Sequence, residues 1–208
     1  MLPRLLLTGL LLAPSAHAQM TFTALHGAVS ALEMKKGVQR ARPAKRGEAL
    51  RPGHSYLTPK GSQAIFVTND GTWLRLGSES KIEVSAEGIR LLTGSLRVLH
   101  APRLQRGDNE SRAFHLSTPD ARLTTHEAKF TLTYRPVTRQ TAAYVEKGLV
   151  TLTRPGASSE AVLIHGGEYA ENLGDEVAPR RTLPMTPEKL ALIKKLMLEE
   201  PKSKKDAL

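Results

Sequence analysis

The stretch Asn69-Asp70-Gly71-Thr72-Trp73-Leu74-Arg75-Leu76-Gly77-Ser78 decides the fold class. Asn, Asp and Gly tolerate positive φ, which is the chemistry of a tight hairpin turn. In the strand that leaves the turn, Leu74 and Leu76 point to one face while Trp73 and Arg75 point to the other, because strand side chains alternate. Gly77-Ser78 then turns the chain again. A short segment that is apolar on one side and bounded by turn chemistry reads as a half-buried strand.

The same device recurs outward from this unit. Upstream, Gln63 to Val67 is apolar on both faces and reads as a central strand covered on each side. Downstream, Ile82 with Val84, Leu96 with Val98, Phe114 with Leu116, Phe130 with Leu132, Ala143 with Val145 and Val150 with Leu152 repeat the alternation and make up the expected core. Pro52-Gly53 and Arg154-Pro155-Gly156 read as further turns, and Ala101 to Ser111 as an exposed loop. The expectation is an all-β domain of short strands over residues 24–173. When Ile89-Arg90-Leu91-Leu92-Thr93-Gly94-Ser95-Leu96-Arg97-Val98 is laid beside Tyr144-Val145-Glu146-Lys147-Gly148-Leu149-Val150-Thr151-Leu152, both show apolar residues, a glycine and renewed alternation. That recurrence suggests successive rungs of a roll or solenoid-like domain.

The ends read differently. Arg4 supplies a positive n-region, Leu5 to Ala13 is almost wholly apolar, and Ala16-His17-Ala18 fits a small-residue cleavage site, so residues 1–18 read as a signal peptide. The apolar run is shorter than the about 20 residues that cross a bilayer of about 30 Å, and no later window spans one, so no transmembrane helix is expected after cleavage. The expected location is a Gram-negative periplasm. At the other end, 174–185 reads as a linker, 186–200 as a helix and 201–208 as a basic tail. Thr186 can cap that helix and Pro201 stops it. Leu190, Ile193 and Met197 form its apolar stripe, expected to dock on the β-domain, because a short isolated helix needs tertiary burial to persist.

The chain has no cysteine, which excludes a disulfide framework, a thiol nucleophile and a lipidated N-terminal cysteine. The formal charge of +10 becomes +9 when Arg4 leaves with the leader. Lys35, Lys36, Arg40, Arg42, Lys45 and Arg46 concentrate that excess and are the candidate contacts to an anionic surface such as cell-wall polymer or lipopolysaccharide. Nucleic acid is not an expected partner: aromatic residues, the usual stacking platform, make up only 4% of the chain.

The search for chemistry finds no constellation. Seven histidines are scattered at positions 17, 26, 54, 100, 115, 126 and 165, without the spacing of a zinc helix. His126-Glu127 is adjacent, but neighbours on a strand face opposite ways. There is no phosphate loop, nucleophile elbow or S-x-x-K serine site. Asp70, Glu79 and Glu83 could supply paired carboxylates, yet Asp70 is explained by its turn and the glutamates by solvent. A non-enzymatic protein without metal or cofactor is expected.

The order of turns and strands resembles the FecR domain, the periplasmic sensor module of regulators of iron uptake. Gly27-Ala28-Val29 looks like its opening G-x-V strand, and Leu50-Arg51-Pro52-Gly53 followed by Leu57-Thr58 like its L-x-x-G … T step. Asp70-Gly71-Thr72, the alternating strand and the closing Ser80 resemble its D-G-S/T block. Leu91 to Val98 around Gly94 resembles L-x-x-G-x-L/V-x-V, and Phe114-His115-Leu116-Ser117-Thr118-Pro119 resembles F-x-V-x-T-P. Val145 to Leu152 around Gly148 is similar to V-x-E-G-x-V-x-V, and Gly166-Gly167-Glu168 to the terminal G-E. Asp70, Gly71, Gly94, Gly148 and Gly167 are thus the family-motif turn residues. His126-Glu127-Ala128-Lys129-Phe130 departs from the family, which usually has a glycine before T-x-F-x-V.

The resemblance implies a β-roll that binds another envelope protein in signalling. Regulators of this type add a cytoplasmic anti-sigma segment and a membrane helix before the domain and a small signalling domain after it, and neither is read along this chain. The alternative is a basic structural adaptor on peptidoglycan or the outer-membrane surface. The leader reading has a direct check: N-terminal sequencing of the protein recovered from the periplasm is expected to begin at Gln19, after cleavage at Ala18.

Overall fold

A computed structural model describes residues 20–35, 37–85, 87–101, 113–155, 161–173 and 182–191. The expected signal peptide, Lys36, most of the 101–111 loop, Gly156, Ile193, Met197 and the basic tail lie outside the described residues. Sixteen strands follow one another: β1 (Met20–His26), β2 (Ser30–Lys35), β3 (Val38–Pro43), β4 (Ala49–Leu50), β5 (Ser55–Thr58), β6 (Gln63–Thr68), β7 (Trp73–Leu76), β8 (Ser80–Ser85), β9 (Gly88–His100), β10 (Phe114–Ser117), β11 (Arg122–Thr125), β12 (Ala128–Arg135), β13 (Gln140–Thr153), β14 (Val162–His165), β15 (Glu168–Leu173) and β16 (Leu183–Pro184). Residues 187–191 form the one described helix, α1.

The strands make two layers. The first runs β4-β1-β6-β7-β9-β12-β13-β15-β16. The second runs β3-β2-β5-β8-β9-β10-β11-β13-β14. Every pairing is antiparallel except β9 with β10. Two strands belong to both layers, β9 and β13, and these are the longest in the chain, with 13 and 14 residues. Through them β9, β12, β13, β11 and β10 pair in a closed ring, a small barrel. An all-β roll is what the sequence implies, but its two principal strands are long and bent, not short.

Both bends have the same construction. β9 carries a bulge at Leu92, skipped between the pairs Lys81↔Thr93 and Ile82↔Leu91, and then Gly94 at φ 88°. β13 carries a bulge at Glu146, skipped between Lys129↔Lys147 and Phe130↔Val145, and then Gly148 at φ 88°. A bulge bends a strand and strengthens its twist, which is how a strand turns the corner between packed layers. The last inward residue before each corner and the first after it are Leu91 and Leu96 in β9, Val145 and Val150 in β13, a step of five residues in both (96 − 91 = 150 − 145). The recurrence read in the sequence is therefore a repeated corner.

Neither glycine can carry a side chain. A Cβ on Gly94 would lie 2.1 Å from the Ser80 hydroxyl and 2.6 Å from the Ser80 Cα. That hydroxyl accepts a hydrogen bond from the Ser95 amide at 2.9 Å, so the motif serine and the motif glycine are two halves of one contact. A Cβ on Gly148 would lie 2.3 Å from the Glu127 carbonyl oxygen and 2.8 Å from the Ala128 Cα. The departure from the family pattern at His126-Glu127-Ala128 thus falls on the backbone that packs against this corner, and the turn still forms.

One continuous core fills the space between the layers. Leu74, Leu76, Ile82, Leu96, Leu132 and Leu152 are wholly buried, and Phe22 meets Tyr56 and Phe66 edge to face at 5.2 and 6.0 Å. Of the expected core residues, Phe114 is only half-buried, its ring stacked on His100 at 5.1 Å. β6 pairs on both sides, as expected, but Ile65 and Val67 are half-buried, because its outer face is not fully covered. The β6–β7 turn holds itself together: the Asp70 carboxylate accepts hydrogen bonds from the Thr68 hydroxyl, the Thr72 amide at 3.0 Å and the Thr72 hydroxyl at 2.8 Å. Burial opposes ionisation there, but these donors hold the Asp70 pKa below its ordinary value.

The described part of the C-terminal segment, residues 182–191, lies on the outer face of the first layer. Residues 183–184, read as linker, add β16 to the edge of β15, and Met185 packs on a small cluster of Ala142, Tyr144 and Tyr169. Thr186 caps α1, accepting the Lys189 amide at 3.3 Å. Lys189 Nζ lies 4.2 Å over the Tyr169 ring and 2.6 Å from Glu171 Oε1. Leu190, from the expected stripe, is exposed, because α1 turns the Lys189 side of its first turn to the sheet.

The corners carry a quantitative expectation. Gly53 has φ 81° but open space around it, so Gly53→Ala should cost only the left-handed backbone penalty of about 1–2 kcal/mol. Gly148→Ala adds a backbone collision to the same penalty, and chemical denaturation should show it losing at least about 2 kcal/mol more.

Candidate functional site

The edges of the two layers are built differently. The first layer ends in strands of two residues, β4 and β16, a usual way of blunting a sheet edge. The second ends in β3 and β14, which each pair with one neighbour only.

β2 and β3 form a hairpin arm. Its register, from Ser30↔Pro43 to Lys35↔Val38, sorts the side chains onto two faces. Leu32, Met34, Ala41 and Pro43 share one face with Gln39, and Glu33, Lys35, Val38, Arg40 and Arg42 share the other. Only Ala31 of the arm is buried, and nearly all of β3 is exposed. Arg42 is the one basic candidate of this region tied into the structure: its guanidinium donates to Glu33 Oε1 at 2.6 Å and to both oxygens of Glu48. Hydrogen bonds from Arg42 hold both carboxyls below their ordinary pKa, more strongly than burial raises them, and the two carboxylates raise the Arg42 pKa in turn. Lys35, Arg40, Lys45 and Arg46 are exposed, with no ion pair among the described residues. The structure thus assembles four of the six basic candidates around one hairpin and commits Arg42 to its base.

At the opposite edge, β14 lies beside the second half of β13. Leu149 pairs with His165 and Thr151 with Leu163, so these four side chains share the outer face of the second layer. Leu149 and Leu163 are both exposed, Leu163 at 51%. Sequence reading placed Leu149 in a family motif but gave Leu163 no role; the alternation Leu163-Ile164-His165, with only Ile164 buried, was the available signal.

Two clefts of about 640 Å³ exist, one at the base of the arm and one beside the β12–β13 turn. Neither gathers a catalytic set. The first is lined by the neutralised Glu33–Arg42–Glu48 group. In the second, Glu171 is bound by Lys189, and Glu79 is an exposed turn residue at φ 53°. Asp70, Glu79 and Glu83 sit on separate elements and do not form a pair. Among the described residues no group of three His, Asp or Glu could hold a metal ion. The family-motif residues serve the frame: Asp70 and Gly71 make the β6–β7 turn, Gly94 and Gly148 the corners, and Gly167 the β14–β15 turn, where its amide donates to Val145 at 2.8 Å.

A buried network fixes the β12–β13 hairpin. The Tyr134 hydroxyl donates to Asp120 Oδ2 at 2.7 Å, and Arg139, itself at φ 51°, donates to Asp120 Oδ1 at 2.5 Å. Burial alone would raise the Asp120 pKa, but these donors, Arg139 first, bring it below its ordinary value. Burial and the same carboxylate push the Tyr134 pKa up to about 12.

An all-β double layer with a closed barrel and motif glycines at its corners defines the class of fold. Residues 54–151, from the start of β5 to the second half of β13, match the FecR protein family. Two crystal structures of a protein assigned as an anti-sigma factor from Parabacteroides distasonis share the fold, with a TM-score of 0.51 each and 15% and 14% identity. The match covers 66% of this chain and 62% of those chains, so this chain spans less than two thirds of their length. No curated protein matches.

The Asp120 network fixes a pH dependence. A carboxylate whose pKa is lower folded than unfolded stabilises the fold above its unfolded pKa of about 3.9, and that contribution fades as pH falls through the folded value. Urea denaturation should therefore show Asp120→Asn less stable than the parent by about 1–3 kcal/mol at pH 7, with the gap shrinking below about pH 4.

Proposed function

We propose that this protein is exported, loses its leader at Ala18 and works in the periplasm as a non-catalytic interaction module of FecR-type signalling, binding an extended segment of another envelope protein. The observation that carries this reading is the open edge of β14. Among the described residues its backbone has no strand partner on one side, and Leu149 and Leu163 stand exposed on the adjoining face. Addition of a strand to such an edge takes its affinity from main-chain hydrogen bonds and its specificity from alternate side chains. The FecR family and the assigned anti-sigma factors support a regulatory role, not a catalytic one.

A second reading, an adaptor on an anionic cell-wall polymer or lipopolysaccharide, is favoured by Lys35, Arg40, Lys45 and Arg46, which are exposed and have no described ion pair. Binding of that kind weakens with salt, since exposed charges are screened within about 8 Å at 0.15 M.

The two readings separate in one capture experiment on envelope extract. Leu149→Lys with Leu163→Lys should lose the parent's protein partner by about tenfold or more, the scale of one buried apolar contact at an interface, with an unchanged melting temperature. Reversal of Lys35 and Arg40 should leave that capture intact. If the leucine variants retain the partner, β14 is not the docking edge.

A further inference from the structure

The basic residues of the arm are accompanied by apolar ones that no charge argument explains. Met34 and Val38, on either side of the β2–β3 turn, are 64% and 60% exposed. They belong to different faces of the ribbon, so the tip is apolar on both sides. Lys35 pairs directly with Val38, and Arg40 follows two residues behind it on the same face. Lys36, between the two strands, adds a third positive charge in sequence. The only carboxylate of the arm, Glu33, is held by Arg42 at its base, so no negative charge offsets the tip.

We propose that the β2–β3 arm inserts its tip into the interface of an anionic lipid leaflet, with Met34 and Val38 entering the acyl boundary and Lys35 and Arg40 bound to lipid phosphates. This inference rests on the second reading above and adds to it an apolar, lipid-specific step. Several observations favour a leaflet over the other occupants of an open edge. A second copy pairing β3 against β3 would bring Arg40 and Arg42 of two cationic strands together, which is destabilising. An acidic peptide adding along β3 would satisfy the arginine but leave Met34, one strand further in on β2, uncovered. A lipid surface uses both kinds of residue at once, because long basic side chains keep their charge at the headgroups while apolar neighbours sink below. The Glu33–Arg42–Glu48 clamp supplies the rigid base that a penetrating hairpin needs, tying β2 and β3 to the segment before β4.

The absence of cysteine makes the test direct, since one introduced thiol can be labelled in the full chain. A polarity-sensitive fluorophore is placed at Val38→Cys or, as a control, at Val137→Cys, which is 96% exposed on the β12–β13 turn. Each is mixed with phosphatidylglycerol vesicles, with phosphatidylcholine vesicles and with soluble polyglutamate. Insertion predicts a blue shift for the Val38 label with phosphatidylglycerol only, no shift at Val137, and binding at least about tenfold weaker when Lys35→Glu and Arg40→Glu are combined, from about 1 kcal/mol per basic residue. Both substitutions lie on exposed positions, and a melting curve identical to the parent's confirms that folding is unaffected. Vesicle co-sedimentation without a blue shift at Val38 overturns insertion while leaving the charge-based adaptor standing. No co-sedimentation overturns both. A blue shift with polyglutamate alone assigns the arm to an acidic protein and overturns the lipid proposal, as do equal shifts at the two labels.

Discussion

Everything in this fold hangs on two strands that must each belong to two layers. A straight strand cannot leave one layer and enter another without losing its ladder, and the chain meets this constraint twice with the same device: a bulge, one residue, and a glycine in the left-handed region. The bulges at Leu92 and Glu146 shift the side-chain phase, so that inward-facing residues on both sides of each corner reach the same core. The glycines at 94 and 148 then let the backbone pass against Ser80 and against Glu127-Ala128 at distances that no side chain tolerates. With those corners in place, the ring of β9, β12, β13, β11 and β10 closes, and its interior is filled by leucine, valine and phenylalanine.

The bulge at Glu146 also organises the outer face. Arg75 and Arg97 stand opposite each other on β7 and β9, a repulsive arrangement if left alone. Gln63 accepts from Arg75 at 2.9 Å, and Glu146, brought out of register by its bulge, meets Arg97 at 2.7 Å and Lys129 at 2.8 Å. Further along the same face, Tyr144 and Tyr169 stack at 5.6 Å and are covered by Met185 and Lys189 of the chain's own C-terminal segment. The first layer therefore commits part of its outer face to internal ion pairs and to its own tail.

The strands and their burial were largely legible in the sequence, because alternation and turn chemistry are local signals. Leu74 with Leu76 and Ile82 with Val84 follow from spacing alone, and Asp70-Gly71-Thr72 announces its turn. The corner was half legible: the recurrence around Gly94 and Gly148 was visible, but a bulge is a relation between two strands and leaves no mark on one. The described C-terminal contact was not legible for a related reason. Leu190 is exposed, while Lys189, a residue that spacing assigns to solvent, lies over Tyr169 beside Glu171, because a cation over a tyrosine ring is a tertiary opportunity. Charge counting likewise could not tell Arg42, held by two glutamates, from Arg40, two residues away and exposed.

The location of any binding activity follows from what the frame has already used. A small closed barrel has room chiefly for its own side chains, and here leucine, valine and phenylalanine fill it. The first layer's outer face is covered or neutralised only in part, since Leu99 stands exposed on it and Ile65 and Val67 are half-buried, and its edges are closed by two-residue strands. The two edges of the second layer differ in chemistry: the β13–β14 pair presents leucines on a sheet face, and the β2–β3 arm presents cations around an apolar tip. Open edges are a hazard in solution, and the six-residue β3 is left longer than the two-residue strands that blunt the first layer. The two faces are also far from equivalent as partners: the leucine edge suits a polypeptide that can supply backbone donors and acceptors, whereas the arm, with little backbone shielded and its charge unopposed, suits a surface that offers phosphates and a boundary to sink into. On the two proposals together, one domain would hold a protein at one edge while the other rested on the leaflet.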